Sequence, residues 1–561
     1  MRSISRRSFL LTAAATAGVP LKAQMPAATA RRVFEWSFVS ARSIADPFHD
    51  ISLDVIVSDP AGREQRVPAF WAGDQTWRMR YAAQAPGRYG FRSVCSDTSN
   101  AGLHAVTGTI DVSPYQGSQP LYQKGGLRVA ANRRHFEHAD GTPFFWLGDT
   151  WWLGLSKRLR WPEDFQQLAA DRVAKGYNVI QIIAGLYPDM GSFDSRGANE
   201  AGFPWEKDYT RVNPAYFDMA DLRIRHLVDV GLAPCIVGCW GYYLPVLGME
   251  RIQRHWRYLI ARWGAYPVVW CLAGEGSMPW YASEHRDAEK AAQETGWTQM
   301  AGFVRQTDPF HRMITIHPSR ASRDVVTDPS VVDFEMLQTG HSGYKSIPRT
   351  IELVRQAYDA KPVMPVLNSE VCYEGILNGS REDVQRFMFW SCVLSGACGH
   401  TYGANGIWQM NTKEQPFGPS PHGRNWGNTP WDIAAQYSGS KQLGLGAKLL
   451  RRYPWQRFEP HPEWVLPANG SSWSAAGAAE NFERPYAAGI PGELRMIYMP
   501  MLWDPPRIVK LEQGVSYGAM LFNPQSGEEH DLGAVKASQA GEWQMPIPPE
   551  QHDWVIVLKK A

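Results

Sequence analysis

The 561-residue sequence predicts a multidomain α/β plus all-β protein: a central (β/α)8 barrel of the TIM type flanked by two small β-sandwich domains. Three observations lead there. Residues 32–113 alternate apolar and polar in short runs; after Pro114, apolar runs alternate with amphipathic helical segments; beyond Tyr453 the helical period disappears again. A chain this long exceeds a single compact core, so several domains are expected.

The N-terminus comes first. Arg6-Arg7, followed by Phe9, Leu10 and the apolar run Leu11–Val19, resembles a Tat-type export signal over residues 1–30. Cleavage after Ala23 or Ala30 fits equally well. The expectation is an exported protein working in the periplasm or outside the cell. No later segment approaches about 20 apolar residues, so no membrane span is expected. Lys and Arg number 57 against 55 Asp and Glu, a net charge of +2. That balance carries no electrostatic footprint for nucleic acid or an anionic membrane. The seven cysteines show no CxxC pair with a matching His or Cys spacing and read as buried free thiols.

Residues 31–115 read as an immunoglobulin-like sandwich, with Val33–Trp36, Ile51–Val57, Trp77–Tyr81, Tyr89–Val94 and Gly108–Val112 as strands between turns such as Asp59-Pro60-Ala61-Gly62. Residues 116–452 contain eight strand-length apolar runs: Phe144–Asp149, Asn178–Ile183, Ala233–Gly238, Val268–Ala273, Met313–Ile316, Val332–Leu337, Val363–Asn368 and Ala397–Thr401. Helices separate them. Asn213-Pro214 predicts an N-cap and first-turn proline, and Ser380 with Asp383 predicts a capping pair. A nucleotide-binding doubly wound sheet would need a Gly-rich turn after the first strand, where Leu147-Gly148-Asp149-Thr150-Trp151-Trp152 stands instead. Residues 453–561 read as a second sandwich, with strands near Arg495–Met499, Val515–Asn523 and Trp554–Leu558.

Barrel enzymes build their sites at the C-terminal strand ends. Two carboxylates stand there after unbroken apolar runs: Glu275 after the fourth strand and Glu370 after the seventh, 95 residues apart. Strands four and seven face each other across the mouth, so the two side chains can converge. Cleavage of a glycosidic bond needs one carboxyl to protonate the leaving oxygen and another to attack or activate water. The rim is rich in flat amphipathic rings, since aromatic residues make up 12% of the chain and include 24 Trp. Rim and strand-end positions expected to contact substrate are Asp149, Trp151, Tyr187, Trp240, Tyr242, His317, Gln338, His341, His400 and Trp408. His317, His341 and His400 raise a metal alternative, but the His-x-His pair of amidohydrolase barrels is missing from strand one, and neither metal nor cofactor is expected.

Gly148-Asp149-Thr150-Trp151-Trp152, Gly176–Gln181, Asn368-Ser369-Glu370 with Tyr373-Glu374-Gly375, and Gly399-His400-Thr401-Tyr402-Gly403 resemble the apiosidase-like family of glycoside hydrolases, related to family 140. The resemblance spans about residues 116–450. The flanks resemble that family's N-terminal immunoglobulin-like domain and its C-terminal sandwich, the latter often labelled collagen-binding. It implies a retaining mechanism with Glu275 as acid/base and Glu370 as nucleophile, acting on a plant-type, pectic polysaccharide or oligosaccharide. The motif residues Trp152, Gln181, Tyr373 and Tyr402 join the expected substrate contacts. Two positions depart from the pattern: Gly274 stands where retaining barrels of the wider clan usually have Asn, and Glu275 where apiosidase-type members tend to have Asp. Two other functions compete, a non-catalytic carbohydrate-binding protein on a degenerate barrel and a metal-dependent barrel hydrolase. The sequence leaves the oligomeric state open.

Overall fold

A computed structural model describes residues 28–467, 482–500 and 505–561; the twin-arginine segment lies outside the described residues. Near the N-terminus, strands Ala28–Thr29, Thr107–Ser113, Gly87–Cys95, Leu53–Ser58 and Glu64–Pro68 form one sheet in that spatial order. Phe34–Val39, Thr76–Tyr81 and Phe70–Trp71 form a second. Burial along Gly87–Cys95 alternates, with Tyr89, Phe91, Ser93 and Cys95 inside, as a strand with one face on a core requires.

Eight parallel strands follow: β1 (Trp146–Trp151), β2 (Val179–Ile183), β3 (Ala233–Val237), β4 (Val269–Cys271), β5 (Ile314–Thr315), β6 (Glu335–Gln338), β7 (Val366–Glu370) and β8 (Gly399–Tyr402). Each overlaps one of the predicted runs. The spatial order is β5-β4-β3-β2-β1-β8-β7-β6, a barrel closed everywhere except between β5 and β6. There the Asp333 amide donates to Ile314 O at 2.8 Å and Thr315 Oγ1 donates to Phe334 O at 2.9 Å, so single bonds hold the seam that a ladder holds elsewhere. β1, β2, β3 and β7 are buried at every residue, which explains their unbroken apolar reading.

Seven helices pack around the strands: α1 (Glu163–Ala174), α2 (Pro214–Asp229), α3 (Tyr243–Trp263), α4 (Arg286–Thr307), α5 (Ile347–Asp359), α6 (Glu382–Val393) and α7 (Ser438–Leu450). Between β5 and β6 there is no α-helix, only 3-10 turns at Ser322–Asp324 and Pro329–Val331. That connection carries Pro318, Pro329 and several Ser and Asp, which favour turns over a helical stripe. Asn213 caps α2 as expected, its side chain accepting from the Ala215 amide at 3.1 Å. Ser380 does not cap α6. Its hydroxyl donates to Cys372 O and accepts from Gln385 Nε2, and Arg381 occupies the cap without a side-chain bond.

A small antiparallel sheet of Leu127–Val129, Phe136–His138 and Pro143–Phe144, not foreseen from the sequence, precedes β1. Phe136 packs on Trp146 and Phe334 and fills the barrel's N-terminal end. Toward the C-terminus a six-stranded and a three-stranded sheet enclose a separate core around Trp464, Ile497, Tyr517 and Trp554. Arg386 on α6 reaches into this region with a bidentate pair to Asp553, both contacts at 2.8 Å, and Trp390 stacks on Tyr498. All seven cysteines are unpaired and buried.

Candidate active site

Glu370 is the last residue of β7. The register between β6 and β7 slips by one, pairing Leu337 with Asn368 but Gln338 with Glu370. Such a bulge re-aims the side chain that follows it, and here it sets Glu370 beside Gln338. Glu275 lies four residues past β4, on a backbone with φ of +40°. A non-glycine residue in that region costs on the order of 1–3 kcal/mol and needs support around it. Its flanking glycines provide the space. A Cβ at Gly274 would stand 2.1 Å from the Trp240 ring, and one at Gly276 would stand 2.6 Å from Ile316 and Val325.

Gln338 Nε2 bridges the pair, donating to Glu275 Oε1 and to Glu370 Oε1 at 3.1 Å each. Those two oxygens are therefore at most twice that distance, 6.2 Å, apart. Their surroundings differ. His341 Nε2 lies 2.8 Å from Glu370 Oε1, and His317 Nε2 lies 3.3 Å from Oε2. Burial opposes ionisation of Glu370, but hydrogen bonds and charge from these two rings outweigh it and bring the carboxyl down to about 2. Glu275, partly open to the cavity but otherwise walled by protein, is pushed up to about 7 by desolvation first and then by the Glu370 charge. Burial works against a charge on His341, yet the Cys372 side chain and Glu370 raise its ring to about 10. Glu370 is thus the carboxyl held as an ion, and Glu275 the one that keeps its proton to higher pH.

The pair opens into a cavity of about 290 Å³. Trp152, Trp240, Gln338, His341, Tyr373 and Trp408 line it together with both glutamates. Several buried polar atoms on these residues have no protein hydrogen-bond partner: Trp240 Nε1, Trp408 Nε1 and Gln338 Oε1. Buried polar groups are rarely left unpaired without reason, and a cavity lined by indole and phenol rings beside two carboxyls suits a ligand with apolar faces and many hydroxyls.

Other expected contacts lie elsewhere. His317 sits behind Glu370 and is fully buried. Asp149 is buried in an ion pair with Arg172 of α1, Nε to Oδ2 2.5 Å, and Trp151 Nε1 donates to the same oxygen at 2.8 Å. His400 faces Phe389 of α6, and burial brings its ring down to about 3, so it is neutral. Tyr402 donates to Glu374 at 2.5 Å. Strand alternation explains these three positions. Side chains at 149, 400 and 402 point to the helix layer, whereas Trp146 and Thr401, which bond each other inside the barrel, point inward. Gln181 donates to Ser369 O below the mouth. Tyr187 bonds Tyr216, and Tyr242 donates to Tyr187 O, so both brace the loop after β2.

The cavity also holds Asp189, Met278, Tyr281, Ile376, His422 and Trp426, none of which was among the expected contacts. They sit in loops without periodicity, where sequence alone offers no register; the dipeptide Pro188-Asp189 beside the strand-two aromatics was the available signal. Among the described residues no three His, Cys, Asp or Glu side chains are grouped so as to hold a metal ion, and no helix is long and apolar enough to cross a membrane.

Fold and family together define a glycoside hydrolase. Residues 130–457 match the family model described as "Apiosidase-like, catalytic domain", and the chain belongs to that family. Residues 29–96 match a domain of unknown function, DUF5060. A solved structure named "Glycoside hydrolase" is 22% identical, covering 79% of this chain and 98% of its own, with a TM-score of 0.63. A glycoside hydrolase family 5 structure from Bacteroides vulgatus is 20% identical over 79% of this chain and 94% of its own, with a TM-score of 0.64. A further Bacteroides vulgatus structure, 16% identical with a TM-score of 0.66, covers 96% of this chain and 100% of its own, so the likeness in fold reaches the flanking regions. A search of curated proteins finds no match.

Proposed function

We propose that the protein is a retaining glycosidase in which Glu370 is the nucleophile and Glu275 the acid/base, acting on a plant-type polysaccharide or oligosaccharide, pectic ones included. The observation that carries this reading is the Gln338 bridge between two carboxyls in unlike surroundings, Glu370 held by His317 and His341 and Glu275 with neither. It keeps the bridged oxygens within 6.2 Å, under the roughly 6.5–9.5 Å that a water-mediated inverting pair needs and near the roughly 5–5.5 Å of a retaining pair. In the first step Glu370 bonds to the anomeric carbon while the Glu275 proton passes to the leaving oxygen. In the second, Glu275 takes a proton from water, whose oxygen displaces Glu370. Activity on an unactivated substrate should decline as pH rises through about 7, where Glu275 loses its proton. The twin-arginine start and the sugar-polymer substrate fit a protein exported by the Tat route.

The test is proton NMR of the first-formed anomer, with azide rescue of two variants. The wild type should release a retained sugar. Glu370→Ala with azide should give an inverted glycosyl azide. Glu275→Ala with azide and an activated aryl glycoside should give a retained one. An inverted product from the wild type would refute the double displacement.

A further inference from the structure

The cavity contains a third carboxylate that the two-step chemistry does not use. Asp189 lies in the loop after β2, its side chain 14% exposed. The Tyr281 hydroxyl donates to Asp189 Oδ1 at 2.9 Å, while the Asp189 amide donates back to the same phenol oxygen at 3.2 Å. His422 Nε2 stands 3.7 Å from Oδ1. Tyr281 follows β4 by way of Glu275, and His422 belongs to the loop after β8, so three separate loops fix one carboxylate at the cavity wall. Asp189 itself sits at φ +57°, held there by these contacts.

A carboxylate offers about four lone-pair positions; Tyr281 fills one and the nearby Ser420 hydroxyl serves another. The remaining acceptor capacity belongs to a residue that lines the cavity together with the Trp240 and Trp408 rings. Charge narrows the choice of ligand. Among the described residues lining the cavity there is no Lys or Arg, and three carboxyl groups share the space. The His341 ring is committed to Glu370. An acidic sugar would bring a further carboxylate into this enclosure with no guanidinium or ammonium to meet it, while the hydroxyls of an uncharged sugar would meet acceptors.

We propose that Asp189, held by Tyr281 and His422, is a specificity-determining residue that accepts hydrogen bonds from hydroxyls of an uncharged sugar residue and disfavours uronosyl residues in the cavity. This deepens the glycosidase reading and rests on it for the chemistry, though not for the binding. Burial raises the Asp189 carboxyl, opposed by the bonds from Ser420 and Tyr281 and by nearby His422 and Arg196.

The test is calorimetric binding to protein carrying Glu370→Gln, so that no probe is consumed. The probes are neutral oligosaccharides from a plant cell-wall digest, oligogalacturonides, and the same oligogalacturonides after carboxyl reduction. Neutral and carboxyl-reduced probes should bind and oligogalacturonides should not. Asp189→Asn should weaken neutral binding by about 10- to 100-fold, the loss of a charge-assisted hydrogen bond or two. Tyr281→Phe, which leaves Asp189 in place but unbraced, should weaken it less and serves if Asp189→Asn melts early. The proposal is overturned if no neutral probe binds, if both variants stay within twofold, or if oligogalacturonides bind as tightly. Asp189-dependent binding without turnover in the wild type would instead sink the hydrolytic reading alone.

Discussion

Replacing Glu370 with Gln removes the charge that helps hold the proton on Glu275, and the size of the effect can be worked out. The nearest oxygens are no more than 6.2 Å apart. Two unit charges about 6 Å apart at an effective dielectric constant of about 20 interact by about 2.8 kcal/mol, equivalent to about two pH units. That is the bare coupling at about the largest separation the bridge permits, before the response of His341 is counted. His341 owes part of its positive charge to Glu370, and it opposes proton binding on Glu275. The variant loses part of that cation along with the anion. The net expectation is a fall of about one pH unit from the wild-type value of about 7, stopping above the ordinary 4.5 because desolvation, the larger cause, remains. The variant should be inactive, so rates cannot report the change. A carbon-13 NMR titration of labelled Glu side chains can, with Glu275 assigned by its own substitution. A Glu275 titration unchanged to within about 0.3 pH units would show that the carboxyls do not couple across Gln338, and a fall to 4.5 would show that burial contributes nothing.

Two further outcomes follow from the placement of residues around the site. Asp149→Ala strips the fully buried Arg172 of one of its two carboxylate partners, the other being Asp171, so it should cost about 1.5–3 kcal/mol of stability in urea denaturation. If stability is intact and only KM changes, Asp149 would be a substrate contact after all. Gly274→Ala places a Cβ against the Trp240 ring, 2.1 Å away before relaxation, and overpacking of this kind costs about 1–3 kcal/mol. It should lower kcat/KM at least tenfold by displacing Glu275 or Trp240, and wild-type turnover on the same substrate would show that the ring moves freely.

What was legible in the sequence followed from periodicity. Both-face burial made the barrel strands read as unbroken apolar runs, so all eight were located, and a carboxylate ending such a run is conspicuous at Glu275 and Glu370. The missing helix between β5 and β6 shows the limit, because a repeat of seven regular units invites an eighth. The side-chain layer was harder to read. A strand end identifies which residues are near the mouth, but a shift of one position sends them to the cavity or to the helices. Asp149, His400 and Tyr402 fell on the helix side. At β7 the bulge before Glu370 reverses that parity locally, and no residue type in Leu367-Asn368-Ser369-Glu370 announces it. Asp189, Tyr281 and His422 converge from three loops separated by 92 and 141 positions, a pairing that only tertiary structure supplies.

The departure at Gly274 becomes intelligible through the same local geometry. The volume that a side chain at 274 would take belongs to the Trp240 ring, which lines the cavity with an unpartnered Nε1. Gly241 must also lack a side chain, since a Cβ there would stand 2.3 Å from Glu275 O. The left-handed Glu275 is then fixed by bonds on both sides. The Gly274 amide donates to Cys239 O at 2.9 Å, the Gly241 amide to Gly274 O at 2.7 Å, the Gly276 amide to His317 O at 3.0 Å and the Met278 amide to Glu275 O at 2.8 Å. Trp297 Nε1 adds a bond to Gly276 O at 2.7 Å. So many constraints on five residues absorb the backbone strain at 275 and leave the carboxyl few positions other than the one beside Gln338. With the main chain held, side-chain length decides whether the carboxyl reaches the bridging amide. The glutamate at 275 and the glycine at 274 thus form one arrangement, in which an indole ring occupies the neighbouring side chain's place and the longer acid spans the distance to Gln338.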